Sequence, residues 1–237
     1  MASLKIIRDS ERGRGDFGWL KARYTFSFGN YYNPRHSAFG TLCVFNDDAI
    51  SPSSGFPTHG HENMEIVTIV LQGVLTHKDS LGHEATILPG EVQRMSAGTG
   101  IRHSEFNAST SEELKLLQIW ITPKNLNVSP GYQQKHFDVR LRKNKWQLLI
   151  SPKGKDASIS INQTVYFSMA RIEAGTKLSY SPHMELGSGM HVMALEGKLQ
   201  VGEDLLNRRD TFQVARAYDC EFVALEPSEV LLIEVTD

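Results

Sequence analysis

Seven short runs of Val, Ile, Leu and Phe punctuate this chain: residues 39–45, 65–75, 114–121, 165–172, 192–201, 221–225 and 230–235. Gly, Asn, Asp and Pro close them, the pattern of many short strands joined by tight turns. A long amphipathic helix finds no support in the spacing of apolar residues, and Pro130–Phe137 is the one stretch that suggests a short helix. The expectation is an all-β protein with few short helices.

One run recurs. Val67 to Gly73 is an apolar segment ending in glycine and followed by a returning strand, and Val192 to Gly197 repeats it about half a chain later. Such self-similarity argues for a duplicated domain. The 237 residues, 40% of them hydrophobic, suffice for two cores of about 100 to 120 residues each. Residues 122–131 are rich in Pro, Asn and Gly and read as the linker, giving domains of 1–125 and 126–237.

Composition narrows the function. Lys and Arg number 25 against 27 Asp and Glu, with no basic stripe, which argues against a nucleic-acid partner. Cys43 and Cys220 form neither a CxxC pair nor a spaced framework, so two reduced thiols and a cytoplasmic location are expected. The start of the chain turns charged by Arg8 and Asp9 and does not read as a secretory signal. The longest apolar runs fall far short of the ~20 residues a membrane span needs.

The chemistry lies in two short motifs, His59-Gly60-His61 and, some forty residues on, His103-Ser104-Glu105. Alternate residues of a strand share a face, so each motif projects a pair of side chains in one direction. Four ligands, His59, His61, His103 and Glu105, would converge if the two strands meet. Three imidazoles and one carboxylate suit Fe, Mn, Co, Ni, Cu or Zn rather than Ca or Mg. Gly98 and Gly100 border the loop entering the second motif, where positive φ or close backbone approach is wanted. His77, His83 and His136 read as ordinary hydrogen-bonded histidines, with His77 at most supporting a ligand from behind.

These residues resemble the cupin superfamily, a fold of jelly-roll-like β-barrels. Gly100, His103 and Asn107 match its second motif. The carboxylate of its first motif falls on Ile66 here, and Glu105 replaces it. That replacement resembles the pirin family, as do Trp19 to Phe28, Asn46-Asp47-Asp48, Met64-Glu65-Ile66, His77 to Gly82 and Met95 to Gly98. The resemblance covers the first ~125 residues closely. Gly60 departs from it, since pirins commonly carry Pro between the two histidines. In the second half, His183-Met184-Glu185 stands where the histidine pair belongs, and residues 212–221 hold no histidine, so that domain is expected to bind no metal.

The resemblance implies two tandem β-barrel domains, a single divalent transition metal with Fe(II) as the favoured ion, and an activity similar to quercetin 2,3-dioxygenase. Such an enzyme opens a flavonol ring with O2 and releases carbon monoxide. Glu105 then doubles as ligand and proton acceptor, and Phe56, Met64, Met95 and Ile101 are the candidates for lining an aromatic pocket. The alternative it implies is a non-enzymatic, metal- or redox-responsive regulator that binds a partner protein. A third reading has the ion merely stiffen the barrel.

Overall fold

The computed structural model of the protein describes residues 4–184 and 188–236. Two compact units emerge: Gly13–Phe137 with Ile161–Gln163, and Asp138–Ser160 with Thr164–Asp237 and the N-terminal stretch Met1–Arg12. Each contains one seven-stranded and one four-stranded sheet.

In the first unit the strands are β2 (Gly13–Asp16), β3 (Leu20–Tyr24), β4 (Leu42–Ile50), β5 (Gly55–His61), β6 (Glu65–Gln72), β7 (Leu75–Asp79), β8 (Glu84–Ile87), β9 (Glu91–Ser96), β10 (Ile101–Asn107), β11 (Leu114–Ile121) and β12 (Gly131–His136). The large sheet runs β12-β9-β6-β11-β4-β3-β2 and the small one β5-β10-β7-β8. The second unit uses β1 (Leu4–Ile7), β13 (Gln147–Ser151), β14 (Ile159–Ser160), β15 (Tyr166–Ile172), β16 (Lys177–Tyr180), β17 (Ser188–Glu196), β18 (Leu199–Val201), β19 (Asp204–Leu206), β20 (Thr211–Val214), β21 (Cys220–Ala224) and β22 (Ser228–Thr236). Its sheets run β1-β20-β17-β22-β15-β13-β14 and β16-β21-β18-β19.

The expectation of β-barrels is corrected here. Among the described residues no ladder joins the large sheet to the small one in either unit, so each sheet keeps its edges. The architecture is all-β and cupin-like but open. At one such edge Pro57 of β5 has no N–H to offer a further strand. The expected helices are absent too: among the described residues there is no α-helix, only 3-10 turns at Asp9–Glu11, Val139–Arg142 and Lys155–Ala157. Pro130–Phe137 instead forms β12, pairing antiparallel with β9 so that Gln134 faces Gln93. Among the described residues no helix is long and apolar enough to cross a membrane.

The repeated glycines close the same turn twice. Gly73 ends β6 at φ +85° and Gly197 follows β17 at φ +79°. A Cβ at either would sit within 3.0 Å of the neighbouring backbone, 2.9 Å from Glu113 O in one case and 2.3 Å from Pro227 O in the other. Only glycine meets both demands without strain.

Two apolar clusters of the first unit border the candidate site. Leu20, Ile50, Val70, Leu75, Ile87, Leu114 and Leu116 pack together in one, and Ile66, Met95, Ala97 and Ile101 form the second. Polar side chains from several strands lie between them, and the candidate site occupies that band.

Candidate metal centre

Strand β10 alternates buried and exposed residues along its whole length, which turns His103 and Glu105 inward. It pairs antiparallel with β5, placing His59 directly opposite His103 and His61 opposite Ile101. On its other side β10 pairs with β7, and Glu105 faces His77. A bulge between His103 and Glu105 shifts the β5 register, so Glu105 sits across from Phe56.

The three imidazoles of the two motifs meet. Ring centroids lie 4.5 Å apart for His59 and His103, 4.8 Å for His59 and His61, and 5.0 Å for His61 and His103. Their ligand nitrogens all fall within 4.8 Å of one another. A cation bonded at ~2.1 Å to each nitrogen spans that separation after small ring rotations. His59 donates from Nδ1 to the Pro57 carbonyl at 2.8 Å, which leaves Nε2 facing the cluster.

His103 supplies the test of whether a cation fits. Its side chain is 1% exposed, and neither ring nitrogen has a hydrogen-bond partner. Leaving a buried polar group unsatisfied costs about 1 to 3 kcal/mol, so an arrangement of this kind fits a site built to be filled. Burial, with His59 beside it, lowers the pKa of His61 to about 4. Burial followed by the charges of His59, His61 and His77 lowers that of His103 to about 3. Both rings are therefore neutral, hence competent as ligands, over the physiological range.

Glu105 is 2% exposed. Burial raises its pKa to about 7, against the opposing pull of hydrogen bonds from Gln118 and Thr68. Gln118 Nε2 donates to Oε2 at 2.8 Å, while the single Thr68 hydroxyl proton is shared between Glu105 Oε1 at 3.4 Å and Gln118 Oε1 at 3.2 Å. Glu105 belongs to a second, overlapping set of potential ligands, His77, His103 and Glu105, rather than to the three-histidine set. In that second set both nitrogens of His77 are engaged: Gln93 Nε2 donates to Nδ1 and Nε2 meets Asp79 Oδ2, each at 3.1 Å. His77 thus braces the site from β7. Among the described residues both groups of three potential ligands lie in this unit.

A cavity of about 200 Å³ opens onto His59, His61, His103 and Glu105. Phe28, Phe56 and Trp120 supply aromatic wall, and Asn46, Asp48 and Gln118 supply polar wall. Of the four residues named from the sequence as pocket candidates, Phe56 is in the lining. Met64, Met95 and Ile101 pack instead with Ile66 and Ala97 in an apolar cluster. Strands β3, β4 and β11 contribute walls that sequence reading did not name. Thr68 and Gln118 carried a legible signal, each being a polar residue inside an apolar run.

The second unit differs at the matching place. With Gly73 and Gly197 as common anchors, the β10 pair His103 and Glu105 corresponds to Cys220 and Phe222 of β21, and His59 to Tyr180, which pairs with Cys220. All three belong to an apolar cluster. His183 stacks on Tyr166 at 4.6 Å and its backbone N–H donates to Glu234; Glu185 lies outside the described residues.

Two family models match the chain. Residues 7–121 match the family model described as Pirin, and residues 148–235 the one described as Quercetinase C-terminal cupin domain. A protein of Escherichia coli K12 named quercetin 2,3-dioxygenase is 48% identical over 160 residues, 68% of either chain. A pirin-like protein of Caulobacter vibrioides is 37% identical over 94% of this chain and 95% of its own. Among solved structures, the bacterial pirin YhhW of Escherichia coli in complex with nickel(II) superposes with a TM-score of 0.93 at 34% identity, covering 99% of both chains. The two motifs, the fold and these relatives agree: the chain belongs to the pirin family.

Proposed function

We propose that this protein is a metal-dependent dioxygenase resembling quercetin 2,3-dioxygenase, with His59, His61, His103 and Glu105 holding one divalent transition metal, Fe(II) by preference. The observation that carries the reading is His103, a buried imidazole without a partner, at the junction of an aromatic-walled cavity and a histidine cluster. Two kinds of relative support it: those named for quercetin dioxygenation and the one crystallised with nickel(II).

When bound, the cation supplies Lewis acidity to a hydroxyl and carbonyl that chelate it. The protein's own groups do the rest. Phe28, Phe56 and Trp120 orient a flat ring against the histidines and exclude water. Glu105 would be ionised while holding the cation and would accept the flavonol 3-hydroxyl proton on loosening from it; without the ion, burial raises its pKa to about 7. Gln118 steadies the resulting carboxylic acid or carboxylate at Oε2. A cavity of about 150 Å³ holds a benzene ring, so the ~200 Å³ here seats one ring of a flavonol and leaves the rest toward the mouth.

The test loads metal-free protein separately with Fe, Mn, Co, Ni and Cu, adds quercetin under air, and follows loss of flavonol absorbance together with carbon monoxide release. Turnover with at least one ion is expected; none with any of them refutes the enzyme reading. His103→Ala should lose bound metal and activity together, while its circular dichroism keeps the β-sheet signature.

A further inference from the structure

A polar row crosses the inner face of the large sheet at the level of the site. Pairing sets Tyr24 against Asn46, Asn46 against Gln118, Gln118 against Thr68 and Thr68 against Gln93, one residue from each of five adjacent strands. Three of these have identifiable tasks: Gln93 bonds His77, and Gln118 and Thr68 bond Glu105. Asn46 has none. It is 3% exposed, lines the cavity, and its Oδ1 finds no hydrogen-bond partner. The indole Nε1 of Trp120, which lines the same cavity and meets His61 edge-on at 4.9 Å, is likewise buried without one.

The fold does not require amides in this row. Thr68 and Val192 each stand five residues before the anchoring glycine. The row through Val192 reads Ser168, Leu232, Val192, Phe212, and its last three members are fully buried in an apolar core. The same architecture therefore packs well without amides there. An unpaired amide oxygen and an unpaired indole N–H on residues that line a cavity mark groups whose partners arrive with the ligand, because each is otherwise a net cost.

Building on the dioxygenase reading above, we infer that Asn46 and Trp120 are specificity-determining residues: they hydrogen-bond oxygen substituents of the aromatic substrate remote from its chelating pair. The cavity accordingly selects polyhydroxylated aromatics over bare ones. An amide both donates and accepts, and the indole donates, so phenolic hydroxyls satisfy either. A site built to bond a hydroxyl discriminates against the analogue lacking it, because its own polar atoms are then left unpaired.

The experiment uses nickel(II)-loaded full-length protein without oxygen, titrated calorimetrically with quercetin and with 3-hydroxyflavone, which keeps the chelating pair and lacks the other hydroxyls. Wild type should bind quercetin at least about tenfold more tightly. Asn46→Leu, similar in size, should lose about threefold to tenfold more affinity for quercetin than for 3-hydroxyflavone, the worth of one hydrogen bond. Trp120→Phe should do the same. Equal losses for both ligands, or a wild type that does not discriminate, overturns the inference and leaves the dioxygenase reading standing. If wild type binds neither flavonol, both fall together. Should Asn46→Leu not fold, the wild-type ratio and Trp120→Phe decide.

Discussion

Glu105→Gln separates a carboxylate that coordinates the cation from one that merely lies nearby, and pH makes the separation quantitative. A carboxylic acid must lose its proton to bind a metal. Burial raises the Glu105 pKa from its ordinary 4.5 to about 7, so below neutrality a proton competes with the ion for this residue. The ionised fraction falls about 25-fold between pH 7.5 and pH 5.5 for a pKa of 7, against about 1.1-fold for an ordinary carboxylate. Histidine protonation affects wild type and variant alike, so their affinity ratio isolates Glu105. Calorimetric titration with nickel(II) in weakly chelating buffers, repeated across this range, should show the wild-type advantage shrinking about 25-fold as pH falls. Buffers of different ionisation enthalpy should show about one extra proton released by wild type at pH 5.5. A ratio that does not move with pH refutes the assignment of Glu105 as a ligand.

Without metal the same residue acts on stability in the opposite sense. A raised carboxylate pKa means that the folded chain holds the proton more tightly than the unfolded one. The penalty for ionising Glu105 is therefore absent below about pH 4.5, grows with pH, and is complete above about pH 7. Urea denaturation should find metal-free Glu105→Gln more stable than wild type by up to about 3 kcal/mol at pH 8, with the difference vanishing near pH 4.5. Two glycines near the site should respond in opposite directions. At Gly98, φ is +49° and a Cβ would lie 2.0 Å from the Val128 carbonyl oxygen, so Gly98→Ala should cost about 3 kcal/mol or more. At Gly60 the nearest atom to a Cβ is 3.8 Å away, so Gly60→Ala should gain about 0.4 to 1 kcal/mol by restricting the unfolded chain. Thermal melts of the pair test the order, and its reversal contradicts the turn geometry.

The motifs were legible because strand periodicity is local: two residues apart on a strand means one face, and both pairs do point inward. The cavity walls were not, because they depend on pairing between distant segments. Asn46 comes to the site through its register with Gln118, seventy-two residues further along the chain. Barrel closure was expected from the resemblance to cupins, and strand patterning offered no check on it. Alternation reports that one face of a strand is buried and says nothing of whether sheet edges meet. Tyr132 to Lys135 lacks apolar alternation, and its strand is set by its neighbour β9. Met95 is fully buried and lies close in sequence to His103, yet it pairs with Ile66 and joins an apolar cluster. Position along the strand decided that placement.

The two units give a sharper guide than periodicity alone, since one is an internal control for the other. Glu105 and Gln118 occupy positions that Phe222 and Leu232 fill in the second unit, both within its apolar cluster. If the pair is kept for binding rather than folding, its two members should be costly to remove singly and cheap to remove together. Gln118→Leu takes the 2.8 Å donor from a buried carboxylate, which should destabilise metal-free protein at pH 8 by about 1.5 to 3 kcal/mol. Adding Glu105→Leu removes the stranded acid as well, and replacing a buried polar pair with apolar side chains of similar size is commonly neutral or stabilising. The double variant should therefore be more stable than Gln118→Leu alone and match or exceed wild type in urea, while its affinity for nickel(II) collapses. A double variant less stable than the single one means that this buried pair helps hold the sheets together, and the division of labour between the units is then misread.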